Sequence, residues 1–227
     1  MPAANPTPLQ TIEIETGTDP GASLIVLHGL GADGHDFEPL AQEMDLSGLG
    51  PVRWIFPHAP VRAVTINGGY HMRAWYDLLG TELVRREDEP GLRASLQQVL
   101  ALVARERARG VAARRILLAG FSQGCAMALL AALRCEERLA GVAGLSGYLP
   151  LANLTAAERH GANADLPVFL AHGRQDPVVP MAAGVVSRDL LKALGHEVEW
   201  HDYPIGHTVS VEELEALREW MLGVLAG

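Results

Sequence analysis

The sequence holds a single lysine, Lys192, so its positive charge is almost entirely arginine. Acidic residues outnumber basic ones, and the formal net charge is −9 at pH 7. Nucleic-acid backbones are bound by clustered basic surface, which this balance does not supply, so no nucleic-acid partner is expected. Cysteine is nearly as scarce. Cys125 and Cys135 fall ten residues apart in one expected helix. A rise of about 1.5 Å per residue holds their Cα atoms ~15 Å apart, beyond the reach of a disulfide. Two unpaired thiols suit a reducing compartment, and a cytoplasmic location is expected. The first residues, Met1 to Pro8, lack the basic stretch and apolar run of a signal peptide. Residues 1–10 are read as a disordered tail and 11–227 as one domain.

Signals for membranes, metals and nucleotides are also missing. The uncharged stretch Ile116 to Leu133 is broken by Gly120, Ser122, Gln123 and Gly124. It reads as a buried strand, a tight turn and a buried helix, so no membrane span is expected. His28, His35, His58 and His71 lack the H-E-x-x-H and paired Cys/His spacings of zinc sites and are read as structural or rim residues. The glycine-rich run His28 to Gly34 matches neither G-x-G-x-x-G nor the P-loop, and no lysine follows it. Neither a metal nor an organic cofactor is expected.

What the chain does hold is a core. Hydrophobic residues make up 48% of its 227 positions, enough for one domain that buries roughly three quarters of its unfolded surface. Thr11–Glu15 alternates with period two and reads as an outer strand. Leu24–Leu27, Arg53–Phe56, Arg115–Ala119, Gly141–Ser146, Pro167–Ala171 and Glu197–Tyr203 read as further strands, the first buried on both faces. Helices are expected over Asp36–Met44, Leu92–Arg109, Gln123–Arg134, Met181–Leu194 and Val211–Leu225. Val61 to Gly80 shows no clean period, and its aromatics favour an ordered loop. The alternation predicts an α/β fold, with a mostly parallel, doubly wound sheet and helices on both faces.

Gly120-Phe121-Ser122-Gln123-Gly124 is a G-x-S-x-G between an expected strand and an expected helix. That context lifts a serine over the carboxyl edge of a sheet as a nucleophile. A serine hydroxyl is weak at neutral pH and needs a base, itself oriented by a carboxylate. In this arrangement the chain order is Ser, then Asp or Glu, then His. His207 lies in a loop after the last strand, at the edge where catalytic groups of α/β sheets gather. His201 sits within that strand, His196 at its far end, and His172 precedes the aspartate. Asp176 follows a strand end in a loop stiffened by Pro177 and Pro180, whereas Asp189 and Asp202 fall in a helix and a strand. Backbone N–H groups of Gln123 and of Leu30, in the glycine-rich loop, are the expected oxyanion donors.

With these residues in place, the chain resembles the phospholipase/carboxylesterase family, which includes bacterial carboxylesterases and acyl-protein thioesterases. The matching pieces are Leu27 to Gly34, Phe56 to Pro60, Val64 to Gly69, Ala74 to Asp77, Gly120 to Gly124, His172 to Asp176 with Val178 to Pro180, and Gly206-His207. They span nearly the whole chain in family order. The resemblance implies Ser122, Asp176 and His207 as the triad and Leu30 and Gln123 as oxyanion donors. It also implies a compact hydrolase without a large lid domain, often a homodimer. Met72, Trp75 and Tyr76 are candidates for an apolar acyl groove, with anchoring of the loop into the core as the competing role of the two aromatics. Cys125 departs from the family pattern, which commonly has glycine there, and is expected to tighten helix–strand packing or narrow the acyl pocket. The expected substrate is a short to medium carboxylic ester. An acyl thioester of a protein and a lysophospholipid are the alternatives, and a non-catalytic binding protein is the rival from another class.

Overall fold

The computed structural model describes residues 7–80 and 86–226. Among them the chain forms β1 (Thr11–Glu15), β2 (Ala22–Leu27), α1 (Leu40–Glu43), β3 (Val52–Pro57), β4 (Val61–Val64), β5 (Tyr70–Arg73), α2 (Glu89–Ala108), β6 (Ile116–Phe121), α3 (Gln123–Arg134), β7 (Gly141–Leu145), α4 (Ala152–Glu158), β8 (Val168–Gly173), α5 (Met181–Ala193), β9 (Val198–Tyr203) and α6 (Val211–Leu225). Seven strands build one sheet in the order β1-β3-β2-β6-β7-β8-β9. Every pairing is parallel except that of β1 with β3. β2, β7 and β8 are buried along their whole length. Helices cover both faces, so these strands are continuous apolar runs with no polar alternation.

Successive strand residues feed opposite cores. Ile25 and Leu118 pack with Leu96, Met127 and Leu191 on the α2, α3 and α5 side. Leu24, Leu117 and Phe169 pack with Met44, Leu217 and Met221 on the α1 and α6 side. From β2 the chain first builds outward to β3 and then returns to lay β6 on the other side. That reversal opens a crevice beyond the carboxyl ends of β2 and β6, the place where open α/β sheets bind ligands.

The structure departs from the expected elements in four places. Asp36 to Met44 is not one helix. A short 3-10 turn at Gly34–Asp36 precedes the one-turn α1, because Pro39 lacks the N–H that a continuous helix would use. Val61 to Gly80 contains an antiparallel hairpin of β4 and β5. Its turn uses Gly68 and Gly69, both at positive φ, and hairpin turns of this kind leave no periodic signal. α4 was not anticipated. Of the expected tail, residues 1–6 lie outside the described residues. Residues 7–10 lie against the domain, with Leu9 packed on the core and the Gln10 carbonyl accepting from the His58 N–H. No helix among the described residues is long and apolar enough to cross a membrane. Ile116 to Leu133 is divided between β6 and α3. Cys125 and Cys135 are both free and buried.

α6 begins with a capping box in which Ser210 Oγ accepts from the Glu213 N–H and Glu213 Oε2 accepts from the Ser210 N–H. Glu213 is fully buried and its Oε1 has no partner among the described residues. Burial pushes its carboxyl up to about 7, from an ordinary value of 4.5. The fold therefore keeps this proton where the unfolded chain has lost it. The resulting stability is full below about pH 4.5 and is lost as pH rises through about 7, a fall of ~3 kcal/mol. Glu213→Gln keeps the capping acceptor and does not titrate. Between about pH 5 and about pH 8 its unfolding free energy, measured in urea, is expected to fall by ~2–3 kcal/mol less than that of the wild type. Parallel pH profiles would show that Glu213 ionises as an ordinary carboxyl.

Candidate active site

β6 ends at Phe121 and α3 starts at Gln123, so Ser122 alone makes the turn. Its φ of 55° and ψ of −117° place it in a strained region for a residue with a Cβ. The Ser122 N–H donates to the Leu145 carbonyl at 2.8 Å, which pins the turn to β7. A Cβ at Gly120 would run into the Gly124 carbonyl, and one at Gly124 into the Leu27 carbonyl. The two glycines of the motif are therefore steric requirements of the elbow.

Asp176 follows β8 and His207 follows β9, and the two loops are stitched together. The Arg174 N–H donates to the Tyr203 carbonyl at 2.8 Å and the Gln175 N–H to the Ile205 carbonyl at 3.0 Å. The result is a hydrogen-bonded chain. His207 Nδ1 lies 2.7 Å from Asp176 Oδ2, and His207 Nε2 lies 2.9 Å from Ser122 Oγ. The Asp176 carboxylate is fully buried, and its Oδ1 accepts from the N–H groups of Val178 and Val179 at 2.8 and 2.9 Å. An ionised carboxylate can only accept, so His207 Nδ1 carries the imidazole proton and Nε2 is left to accept from the Ser122 hydroxyl. The Phe121 ring packs 4.7 Å from the imidazole, centroid to centroid.

His172 supports the same loop. Its Nε2 donates to the Val179 carbonyl at 2.8 Å and lies 3.5 Å from Asp176 Oδ2. Burial holds its pKa below the ordinary histidine value, so it is neutral at physiological pH. The other histidines stand apart from this chain. His201 bonds to Glu199 on β9, and buried His196 bonds to the Leu166 carbonyl.

The loop after β2 is held over the elbow by the β4–β5 hairpin. The Gly31 N–H donates to the Arg73 carbonyl at 2.9 Å. Gln123 clamps the following segment, its Oε1 accepting from the Trp75 N–H and its Nε2 donating to the Tyr76 carbonyl, each at 2.8 Å. With its side chain so occupied, Gln123 leaves its backbone N–H at the first turn of α3, which has no acceptor of its own. Leu30, Ser122 and Gln123 all line one cavity of about 320 Å³, walled further by Ile66, Tyr76, Leu78, Tyr148 and Pro177 to Pro180. The wall is mostly apolar.

Of the three groove candidates, Tyr76 lines this cavity. Trp75 is fully buried and donates Nε1–H to the His28 carbonyl at 2.9 Å, which ties the segment into the core. Met72 packs near Gly31 and accepts from Asn67, outside the cavity lining. Cys125 turns its side chain toward Gly144 and Gly147, where a Cβ would run into it, and is not among the lining residues. Tyr148, Ile66 and Leu78 were not singled out from the sequence. Tyr148 stands just beyond the carboxyl end of β7, and the sheet-edge rule that selected His207 points to it equally. Ile66, in the turn between β4 and β5, and Leu78, after β5, carry no such signal, because that segment has no periodicity.

Asp33, His35 and His58 each bring one ligand-capable atom within 4.8 Å of the others. Some of their polar atoms bond within the protein. Asp33 Oδ1 bonds His35 Nδ1 at 2.9 Å, and His58 Nδ1 accepts from the Gly34 N–H at 3.0 Å.

The phospholipase/carboxylesterase family model matches residues 9–223. A protein named acyl-protein thioesterase 1 from Gibberella zeae is 38% identical over 88% of this chain and 89% of its own. One of the same name from Yarrowia lipolytica is 35% identical over 94% and 96%. The crystal structure of Zea mays acyl-protein thioesterase 2 matches with a TM-score of 0.85 at 30% identity, covering 96% of this chain and 99% of that one. The chain belongs to the phospholipase/carboxylesterase family of α/β-hydrolases.

Proposed function

We propose that the protein is a serine hydrolase that cleaves carboxylic esters and thioesters of short to medium acyl chains through an acyl-enzyme. The observation that carries this is the unbroken chain from Ser122 Oγ through His207 to the buried Asp176 carboxylate. Ser122 attacks the acyl carbonyl while His207 Nε2 takes its proton. Asp176 holds the imidazole in the tautomer that leaves Nε2 free and stabilises the imidazolium that forms. The N–H groups of Leu30 and Gln123 stabilise the oxyanion, His207 returns the proton to the leaving alcohol or thiol, and water then releases the acid. A cavity of about 320 Å³ sits at the small end of ligand pockets, ~300–1,000 Å³, which supports the shorter acyl chains. The two free, buried cysteines support a reducing compartment such as the cytoplasm.

A second reading, removal of acyl groups from proteins, is favoured by the relatives from Gibberella zeae and Yarrowia lipolytica that bear that name. Two measurements test the pair. A fluorophosphonate probe followed by peptide mass spectrometry is expected to find Ser122 modified and no other serine. An unlabelled Ser122 would overturn the hydrolase reading. Turnover of short aryl esters against a long-chain S-acylated peptide then separates the two substrates, and a strong preference for the peptide would select the protein thioesterase.

A further inference from the structure

The acyl cavity is lined by Leu30, Ile66, Leu78, Val178 and Val179, yet two tyrosines, Tyr76 and Tyr148, stand among its lining residues. Tyr76 and Tyr148 are 2% and 4% exposed, and their phenolic oxygens lie 3.0 Å apart. Burying a hydroxyl costs free energy unless it is bonded, so a wall meant only for hydrocarbon would be better made of phenylalanine. The pair holds two protons, and its one mutual hydrogen bond uses only one of them. The carboxylate of Glu87 accepts from the Leu151 N–H at 3.0 and 3.2 Å and makes no hydrogen bond to either phenol. Among the described residues no other group accepts from either phenol. Burial raises the pKa of both, that of Tyr148 to about 12. The pair therefore stays neutral at any physiological pH, with one phenolic proton that no described residue accepts.

We infer that Tyr76 and Tyr148 form a polar recognition point in the acyl cavity, selecting acyl chains that carry a hydrogen-bond-accepting oxygen part-way along their length. This rests on Ser122 being the nucleophile, because that assignment makes the cavity an acyl site. An incoming keto, ester or hydroxyl oxygen takes the unshared phenolic proton, while a plain chain leaves it unpaired. The cavity thus discriminates between chains of equal length by their oxygen content, and the position of the preferred oxygen is set by the span from Ser122 to the pair.

The test uses matched aryl esters of straight-chain acids, one plain and the others bearing a single keto oxygen moved along the chain one carbon at a time. Wild type is expected to prefer at least one keto isomer over the plain chain in kcat/KM. The double variant Tyr76→Phe/Tyr148→Phe is expected to lose that preference by about five- to tenfold, the weight of one neutral hydrogen bond. Both substitutions touch the acyl wall, so the readout is the ratio of keto to plain turnover, in which a general effect on the cavity cancels. Each single variant, which leaves one hydroxyl at the wall, is expected to fall between. An unchanged ratio of keto to plain turnover in the double variant overturns the inference, and so does an equal loss on both chain types. Absence of hydrolysis of every ester by the wild type would instead overturn the hydrolase reading beneath it, so the two failures are distinguishable.

Discussion

Ser122→Ala is expected to lower turnover of an activated aryl ester by about 10⁴-fold or more, the loss that follows removal of the nucleophile from a chain of groups acting as a unit. No neighbour can take its place. Cys125 is the nearest nucleophilic side chain in sequence, but it is buried, it points at Gly144 and Gly147, and burial pushes its thiol far above the range where a thiolate forms. Alanine keeps the Cβ, so the elbow retains its positive φ and the Ser122 N–H bond to the Leu145 carbonyl has no reason to change. The thermal midpoint is therefore expected to move by no more than ~3 °C, the scale of about 1 kcal/mol in a domain of this size. Some rate over water is expected to survive, because the proposed oxyanion donors, the N–H groups of Leu30 and Gln123, are untouched by the substitution. Steady-state kinetics on one ester, with calorimetry on the same samples, reads both quantities. A variant as active as the wild type would remove Ser122 from the mechanism and bring forward a binding protein that keeps the hydrolase fold.

The loss is attributable to chemistry because the elbow is so fully specified by local sterics. The same sterics explain how Ser122 could be found from the sequence. Gly120 and Gly124 leave a signature of fixed spacing because no other residue fits against the Gly124 and Leu27 carbonyls. β6 before it and α3 after it are strong signals, since strands and helices buried throughout are unbroken apolar runs. Asp176 and His207 were found by a different rule, their place after successive strands. The rule works because parallel strands deliver all their carboxyl ends to one edge. The cavity wall was harder to find. Ile66 lies in the turn between β4 and β5 and Leu78 follows β5, in a hairpin whose short strands depend on turn glycines and on contact with the loop after β2. Neither leaves a periodic pattern. Trp75 and Tyr76 are adjacent aromatics of identical promise on paper. Both are buried in the same core, but Trp75 Nε1–H is tied to the His28 carbonyl whereas Tyr76 also lines the cavity and bonds Tyr148. The N-terminal break in the expected helix Asp36–Met44 was legible in Pro39, a residue whose missing N–H outweighs the apolar spacing around it.

Asp176→Asn is expected to lower kcat by about 10⁴-fold while changing KM little, and the reason lies in the loop that holds the side chain. Oδ1 accepts from two backbone donors, the N–H groups of Val178 and Val179, at 2.8 and 2.9 Å. In asparagine only the carbonyl oxygen can occupy that position, so the amide NH₂ is forced to the position of Oδ2, facing His207 Nδ1. An amide donor there requires Nδ1 to accept. The imidazole must then carry its proton on Nε2, the atom 2.9 Å from Ser122 Oγ, and it can no longer take the serine proton. Flipping the amide offers no escape, because it would set the NH₂ against the two backbone N–H groups and leave both unsatisfied. His172 adds to the conflict, since its Nε2–H, 3.5 Å from the same position, would face a second donor. A rate that rises with pH offers the sharpest readout. In the wild type the active form is the neutral imidazole with Nδ1 protonated, whereas the variant needs hydroxide to do what His207 cannot. Its residual kcat/KM is therefore expected to rise in proportion to hydroxide concentration. A variant that retains more than about a tenth of wild-type kcat would mean that Asp176 does not set the tautomer, and that the 2.7 Å contact to His207 serves only to hold two loops together.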